Sequence, residues 1–299
     1  MDFLLANHSS YPGGGRPDAA VIGAVIAEQV EAGLDVVTDG QIGWQDPISH
    51  VMGQFEGVRI GAAGVCPGTS VAYRQPIICG ALRRTQSVAG EAFVVAQAAS
   101  AKPVKPVLPG PYTLARLSRI ETGPYQTVAA LAHALAALLA EEVADLVARG
   151  AQVIQFDEPA ALQPQTDFRL IRDVFEPLWA VRGTAQLVVA TYWGDAEPVY
   201  AQLDSIPADV LAVDVPSTRG LVELVASAGA GKVLALGVVD GRSDRLEAAE
   251  TLARDVERML QRYIFDRVYL QPSCGLGALS GTQARRKLQC LQAIGALVR

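Results

Sequence analysis

Short apolar runs recur along the chain at residues 3–7, 34–38, 104–108, 153–157, 187–191, 210–214, 233–238 and 268–270. Each is a few residues long, mostly Val, Ile and Leu, and does not strictly alternate. Such runs mark strands buried on both faces, as in a parallel sheet. Amphipathic stretches separate most of them. Residues 18–32 carry Val21, Ile22, Val25, Ile26 and Val30 at helical spacing, and Gly33 is placed to stop the helix. Residues 127–149 are nearly all Ala and Leu, with Glu141, Glu142, Asp145 and Arg149 along one flank; 244–263 and 282–298 repeat the amphipathic pattern. Eight strands alternating with helices in 299 residues predict an α/β fold, a (β/α)8 TIM barrel. A doubly wound open sheet is the alternative, weakened because no GxGxxG loop follows the first strand.

One segment breaks the alternation. Residues 54–84 contain Gly57, Gly61, Gly64, Gly68 and Gly80 among β-prone runs such as Val71-Ala72-Tyr73 and Ile77-Ile78-Cys79. This reads as a β-hairpin insertion after the second strand, followed by a helix near 87–100. No linker or repeat divides the chain, so residues 1–299 are expected to form a single domain.

Composition narrows the picture. Half of the residues are hydrophobic and 19% are charged, which excludes a disordered chain. No run of about 18 apolar residues appears, as a membrane-spanning helix needs. Twenty-five basic against 31 acidic residues give a net charge of −6, which argues against nucleic acid as a partner. The start, Met1-Asp2-Phe3-Leu4-Leu5, lacks the basic region of a secretory signal, so a cytoplasmic protein is expected. Cys66, Cys79, Cys274 and Cys290 show no CxxC spacing and are expected to be reduced thiols.

In a barrel, chemistry sits at the C-terminal ends of the strands. Here those ends are polar: Asn7-His8-Ser9-Ser10-Tyr11, Thr38-Asp39-Gly40-Gln41, Asp157-Glu158-Pro159, Thr191-Tyr192-Trp193-Gly194-Asp195, Asp214-Val215-Pro216-Ser217, Asp240-Gly241-Arg242 and Ser273-Cys274. The segment Gln155-Phe156-Asp157-Glu158-Pro159-Ala160 resembles the strand-end Asp-Glu-Pro-Ala motif of the cobalamin-independent methionine synthases. Lys105-Pro106-Val107-Leu108-Pro109-Gly110-Pro111-Tyr112-Thr113 is similar to that family's Lys-Pro-Val-Leu-x-Gly-Pro-x-Thr segment. Residues 28–36 with Thr38-Asp39-Gly40 resemble the helix and second strand of its catalytic barrel. The segments 191–195, 236–242 and 272–274 are closer to its non-catalytic N-terminal barrel.

The resemblance runs from about Asn7 to Cys274. It implies a barrel that transfers a methyl group to the thiol of homocysteine, with zinc holding the thiolate. The family binds zinc through a His-x-Cys pair after strand five, a carboxylate after strand six and a Cys after strand eight. Those positions correspond here to Tyr192 and Gly194, Asp214, and Cys274; His8 is the remaining candidate ligand. Two ligands alone do not make a tetrahedral zinc site. The amino acid site implied by the resemblance falls on Ser9, Ser10, Gln41 (where the family has Glu) and Asp157, with Glu158, Tyr192 and Trp193 as further substrate-binding candidates. Asp157, Asp240 and Arg242 are the candidate catalytic groups; Arg242 replaces a His and can clamp a carboxylate but not shuttle a proton.

Bland duties remain open for several of these. Asp157 and Glu158 are also suited to capping the next helix, Cys274 to inert burial, and Arg242 to pairing with Asp240 or Asp244. The methyl donor is expected to be a methylcorrinoid or methyltetrahydrofolate, the former delivered by a corrinoid protein. A zinc-free barrel acting on another small molecule, or a non-catalytic binding barrel, are the alternatives.

Overall fold

The computed structural model describes residues 1–13, 18–66, 69, 71–218 and 220–299. In chain order the elements are β1 (Asp2–Leu5), α1 (Ala19–Glu31), α2 (Pro47–Met52), β2 (Phe55–Val65), β3 (Ala72–Arg84), α3 (Gly90–Ala98), β4 (Val107–Pro109), α4 (Pro111–Leu117) and β5 (Arg119–Ile120). There follow α5 (Val128–Ala148), β6 (Val153–Asp157), α6 (Phe168–Val181), β7 (Gln186–Thr191), α7 (Tyr200–Asp204), β8 (Val210–Asp214), α8 (Leu221–Ala228), β9 (Val233–Val239), α9 (Ala249–Met259), β10 (Arg267–Pro272) and α10 (Gly281–Val298).

Seven strands make one parallel sheet in the order β1-β10-β9-β8-β7-β6-β4. The eighth apolar run, 34–38, is not a full strand. It pairs in parallel on both sides, Ala6 with Val36 and Val37 with Val104, and so joins β1 to the segment leading into β4. Through those two bridges the ring meets itself, as expected of a barrel. The run is bounded by Gly33 (φ +80°) before it and by the turn at Gly40 (φ +75°) after it.

Local chemistry sets the helix limits. Asp18 accepts a hydrogen bond from the Val21 N–H at the start of α1, Thr127 caps α5, Asp167 caps α6, and Ser280 with Gln283 forms a capping box on α10. Leu131, Leu135, Leu139, Val143 and Leu146 of α5 are fully buried, and each contributes about 1.5–3 kcal/mol by leaving water. Glu142 does not belong to the exposed flank of α5. It is fully buried and accepts from Arg84, Ser87 and the N–H groups of Val88 and Ala89, tying the hairpin's end to the barrel wall.

The insertion is the hairpin expected between 54 and 84, β2 antiparallel to β3, and β5 adds a third strand beside β3. Gly68 lies outside the described residues. The Tyr73 hydroxyl donates to the Leu117 carbonyl and fastens the hairpin over the C-terminal end of the barrel. The lumen is lined by small and branched side chains, Ala6, Val36, Val153, Val188, Val210 and Ala235, with Tyr269, Gln271 and Lys105 among them. No disulfide joins the cysteines, and no described helix is long and apolar enough to cross a membrane.

Candidate active site

Successive residues of a strand face opposite ways, so Gln155 and Asp157 of β6 share one face and Glu158 takes the other. Gln155 Nε2 donates to Asp157 Oδ1 at 2.7 Å, and the Tyr192 hydroxyl donates to Asp157 Oδ2 at 3.0 Å. From below, Lys105 Nζ donates to Gln155 Oε1. Burial raises the Asp157 carboxyl to about 6, against the lowering pull of its two hydrogen bonds and the Lys105 charge. Burial also brings the Lys105 ammonium down to about 7, although the Asp157 charge resists. His8 packs edge-on against Tyr192, ring centroids 5.1 Å apart, and its Nδ1 lies 2.9 Å from Ser9 Oγ. Burial and the nearby Lys105 charge hold its pKa well below the usual value, so the ring is neutral.

Glu158 turns away from this group. Its carboxylate accepts from the Tyr112 N–H (3.0 Å), the Thr113 N–H (2.8 Å) and the Thr113 hydroxyl (2.6 Å), at the first turn of α4. A β-carbon at residue 110 would lie 2.1 Å from Glu158 Oε1, so glycine is required there by the carboxylate itself. Glu158 therefore caps a helix, but the preceding one and not the one that follows it in sequence.

Asp157, Tyr192 and Trp193 line a recess of about 50 Å³, roofed by Cys66, Val71, Ala72 and Tyr73 of the hairpin. Cys66, Leu117, Pro159 and Trp193 also line an adjoining cleft of about 360 Å³, flanked by Arg116. Trp193 stands at φ +64°, a left-handed conformation that its N–H bond to Asp214 Oδ2 (3.2 Å) holds in place. Two buried polar atoms at strand ends, Asn7 Oδ1 and Thr191 Oγ1, have no hydrogen-bond partner among the described residues.

The other expected residues are spread around the rim. Ser10 Oγ accepts from the Gly277 N–H, and Gln41 (φ +53°) donates from Nε2 to the Val107 carbonyl. Asp214 accepts from the N–H and hydroxyl of Ser217 as well as from Trp193. Arg242 is bonded through Nε to Asp240 at 2.8 Å, with Nη1 3.8 Å from Asp214. Cys274 is buried, its thiol pushed up to about 12 by burial and then by the Asp214 charge.

The sequence profile described as "Cobalamin-independent synthase, Catalytic domain" matches residues 14–296. The chain belongs to the cobalamin-independent methionine synthase family. A methionine synthase from Saccharolobus solfataricus is 30% identical over 270 residues, covering 89% of this chain and 79% of that protein. A Streptomyces griseus 5-methyltetrahydropteroyltriglutamate–homocysteine methyltransferase is 27% identical over 287 residues, 92% of this chain and 37% of its own length. Among solved structures, a B12-independent methionine synthase from Shewanella sp. W3-18-1 in complex with selenomethionine superposes with a TM-score of 0.85 at 23% identity, covering 98% of this chain and 97% of that one. The putative B12-independent methionine synthase of Listeria monocytogenes gives a TM-score of 0.71 at 16% identity, covering 93% and 86%. These likenesses establish the barrel fold.

The zinc that the methionine synthase family implies does not fit the residues present. Tyr192 is turned to Asp157, and Gly194 offers no donor. The place of a side chain at 194 is filled by Leu162, whose β-carbon lies 2.9 Å from where a β-carbon would be built. Asp214 is occupied by Ser217 and Trp193 and has a guanidinium beside it. Among the described residues no three or more His, Cys, Asp and Glu gather as a metal site.

In the sequence, Lys105 and Gln155 stand only inside the motifs, with no role assigned to either. The signal was there: each is a polar residue inside a buried apolar run, and Gln155 shares a strand face with Asp157. The hairpin's share of the recess had no signal in the sequence, because nothing local says what a hairpin folds over.

Proposed function

We propose that the protein transfers a methyl group from methyltetrahydrofolate to the thiol of homocysteine. The observation that carries this reading is the family match across residues 14–296; the arrangement at the mouth supports it. The recess at Asp157 is the smaller of the two spaces and adjoins the larger cleft. It suits the acceptor's ammonium, held by a carboxylate that Gln155 and Tyr192 aim, with the rest of homocysteine extending past Trp193. The larger cleft, with the Trp193 indole and the Arg116 guanidinium, suits a flat, conjugated, anionic donor. The corrinoid donor and corrinoid-protein partner gain no support from a B12-independent family.

In this reading the acceptor sulfur attacks the methyl carbon, and the bond to the donor nitrogen breaks with its electron pair left on that nitrogen, which takes up a proton. What the chain supplies is alignment, by holding both substrates in one water-poor cleft. Arg242 is fixed by Asp240 and leans on Asp214, and the two carboxylates offset its charge at the rim.

The test is methionine formation, followed by mass spectrometry, from homocysteine with mono- and triglutamyl methyltetrahydrofolate and, separately, with methylcobalamin. Methionine from a folate donor is the expected result. Turnover with methylcobalamin alone would move the donor assignment, and no methionine from any donor would overturn the reading.

A further inference from the structure

We propose that Lys105, acting through Gln155, is the positioning residue that keeps Asp157 an anion and thereby makes the acceptor site selective for a ligand bearing an ammonium group. This rests on the reading of the recess as an acceptor site.

The side chains lining the lumen beneath the mouth are apolar or neutral except Lys105, which is 3% exposed. A lone ammonium in such surroundings is costly unless an opposite charge compensates it. The chain supplies one through a single amide. Lys105 Nζ donates to Gln155 Oε1, and Gln155 Nε2 donates to Asp157 Oδ1 at 2.7 Å. That amide orientation sets a donor below and an acceptor above. The second carboxylate oxygen takes the Tyr192 hydroxyl at 3.0 Å, so the anion is held from two sides while its open flank faces the recess. Burial opposes ionisation of both Lys105 and Asp157, and each favours the charged form of the other. Without Lys105 the Asp157 carboxyl has no buried cation behind it and takes up a proton near neutrality. A neutral carboxyl no longer attracts an ammonium.

The experiment compares binding of homocysteine with that of 4-mercaptobutanoate, which lacks only the amine, by calorimetry without donor. Binding does not depend on turnover, so a failed methyl-transfer assay does not confuse the outcome. The wild type is expected to prefer homocysteine. In K105M, checked for folding by its melting temperature, homocysteine is expected to weaken about tenfold or more, as loss of a charge-assisted contact does, while 4-mercaptobutanoate stays within about twofold. K105R, which retains the charge, should restore most of the preference. Q155M, which breaks the bridge and leaves both ionisable side chains in place but uncoupled, is the second variant should K105M not fold, and is expected to lose the preference too. Retention of the full amine preference in folded K105M or Q155M overturns the assignment of Lys105, as does equal weakening of both ligands. Wild-type protein that binds neither thiol overturns the acceptor-site reading and this inference with it.

Discussion

Replacing Glu158 by alanine separates a structural carboxylate from a substrate-binding one. The side chain is fully buried and receives two N–H donors and one hydroxyl at the first turn of α4. Removing it strands the Tyr112 and Thr113 N–H groups, at about 1–3 kcal/mol each, while the Thr113 hydroxyl can turn to another acceptor. The vacated space adds to the cost, and relief from burying a carboxyl that burial pushes up to about 7 subtracts from it. The net expectation is about 3 kcal/mol, or about 6 °C in melting temperature for a chain of this size. Urea denaturation read by far-UV circular dichroism measures the first and calorimetry the second, while KM for homocysteine should stay within about twofold. Gly110 gives an internal check. G110A alone should be severely destabilising because its β-carbon would sit 2.1 Å from Glu158 Oε1, yet the same change should cost far less in the E158A background. E158A with wild-type stability and a tenfold weaker homocysteine KM would refute the reasoning and return Glu158 to the mouth.

Three further outcomes follow from the site. Because burial raises the Asp157 carboxyl from 3.8 to about 6, the folded chain binds its proton more tightly than the unfolded one. Its ionisation therefore costs stability as pH rises through that window, while homocysteine affinity rises over the same window; D157N should flatten both profiles, and an unchanged binding profile in D157N would count against the anion. W193A should raise KM for the folate donor about tenfold, by loss of the indole face, and weaken homocysteine by less, because only part of that substrate passes the indole; titration of each substrate separately checks this, and a greater loss for homocysteine than for the donor would refute the placement of the donor on the indole. Purified protein dialysed against EDTA should hold far less than one zinc per chain and keep the methyl-transfer rate it had before dialysis, as measured by elemental analysis and assay. Stoichiometric zinc that survives dialysis would show that the ligand set assembles in a way the Asp214–Arg242 arrangement does not suggest.

The barrel was legible because its pattern repeats: eight apolar runs, with caps and glycines at the helix ends. The exception shows the limit of that signal. Residues 34–38 have a strand's composition, yet they form only one bridge on each side, since ladder length is set by neighbours and not by the run itself. Similarly, 244–263 shows one helical pattern, but the α-helix occupies only Ala249–Met259. Its residues before that turn back towards the mouth, where Glu247 accepts the Asp240 N–H and pairs with Lys287. A pattern that overruns its helix at both ends cannot disclose that contact, whose partner lies 40 residues away.

The site was legible in its chemistry and misread in its geometry, and strand alternation explains why. Asp157 and Glu158 are adjacent, so on a strand they face opposite sides; assigning both to the mouth conflicts with the period of two. Applied strictly, the same rule picks Gln155 as the companion of Asp157, and Lys105 then follows as the only charged residue in the apolar run of the neighbouring strand. Residues 191–194 escape the rule because Trp193 leaves the strand at positive φ, which sends Tyr192 to Asp157 and the Trp193 N–H to Asp214. Tyr192 and Trp193 thus occupy an oxygen each of Asp157 and Asp214. The loss of a His and a Cys from that loop is thus coupled to a rebuilt set of hydrogen bonds, and restoring the two ligands alone would not recreate the site. Y192H with G194C would still have to displace Leu162 and release Asp214 from Ser217 before a metal could be held.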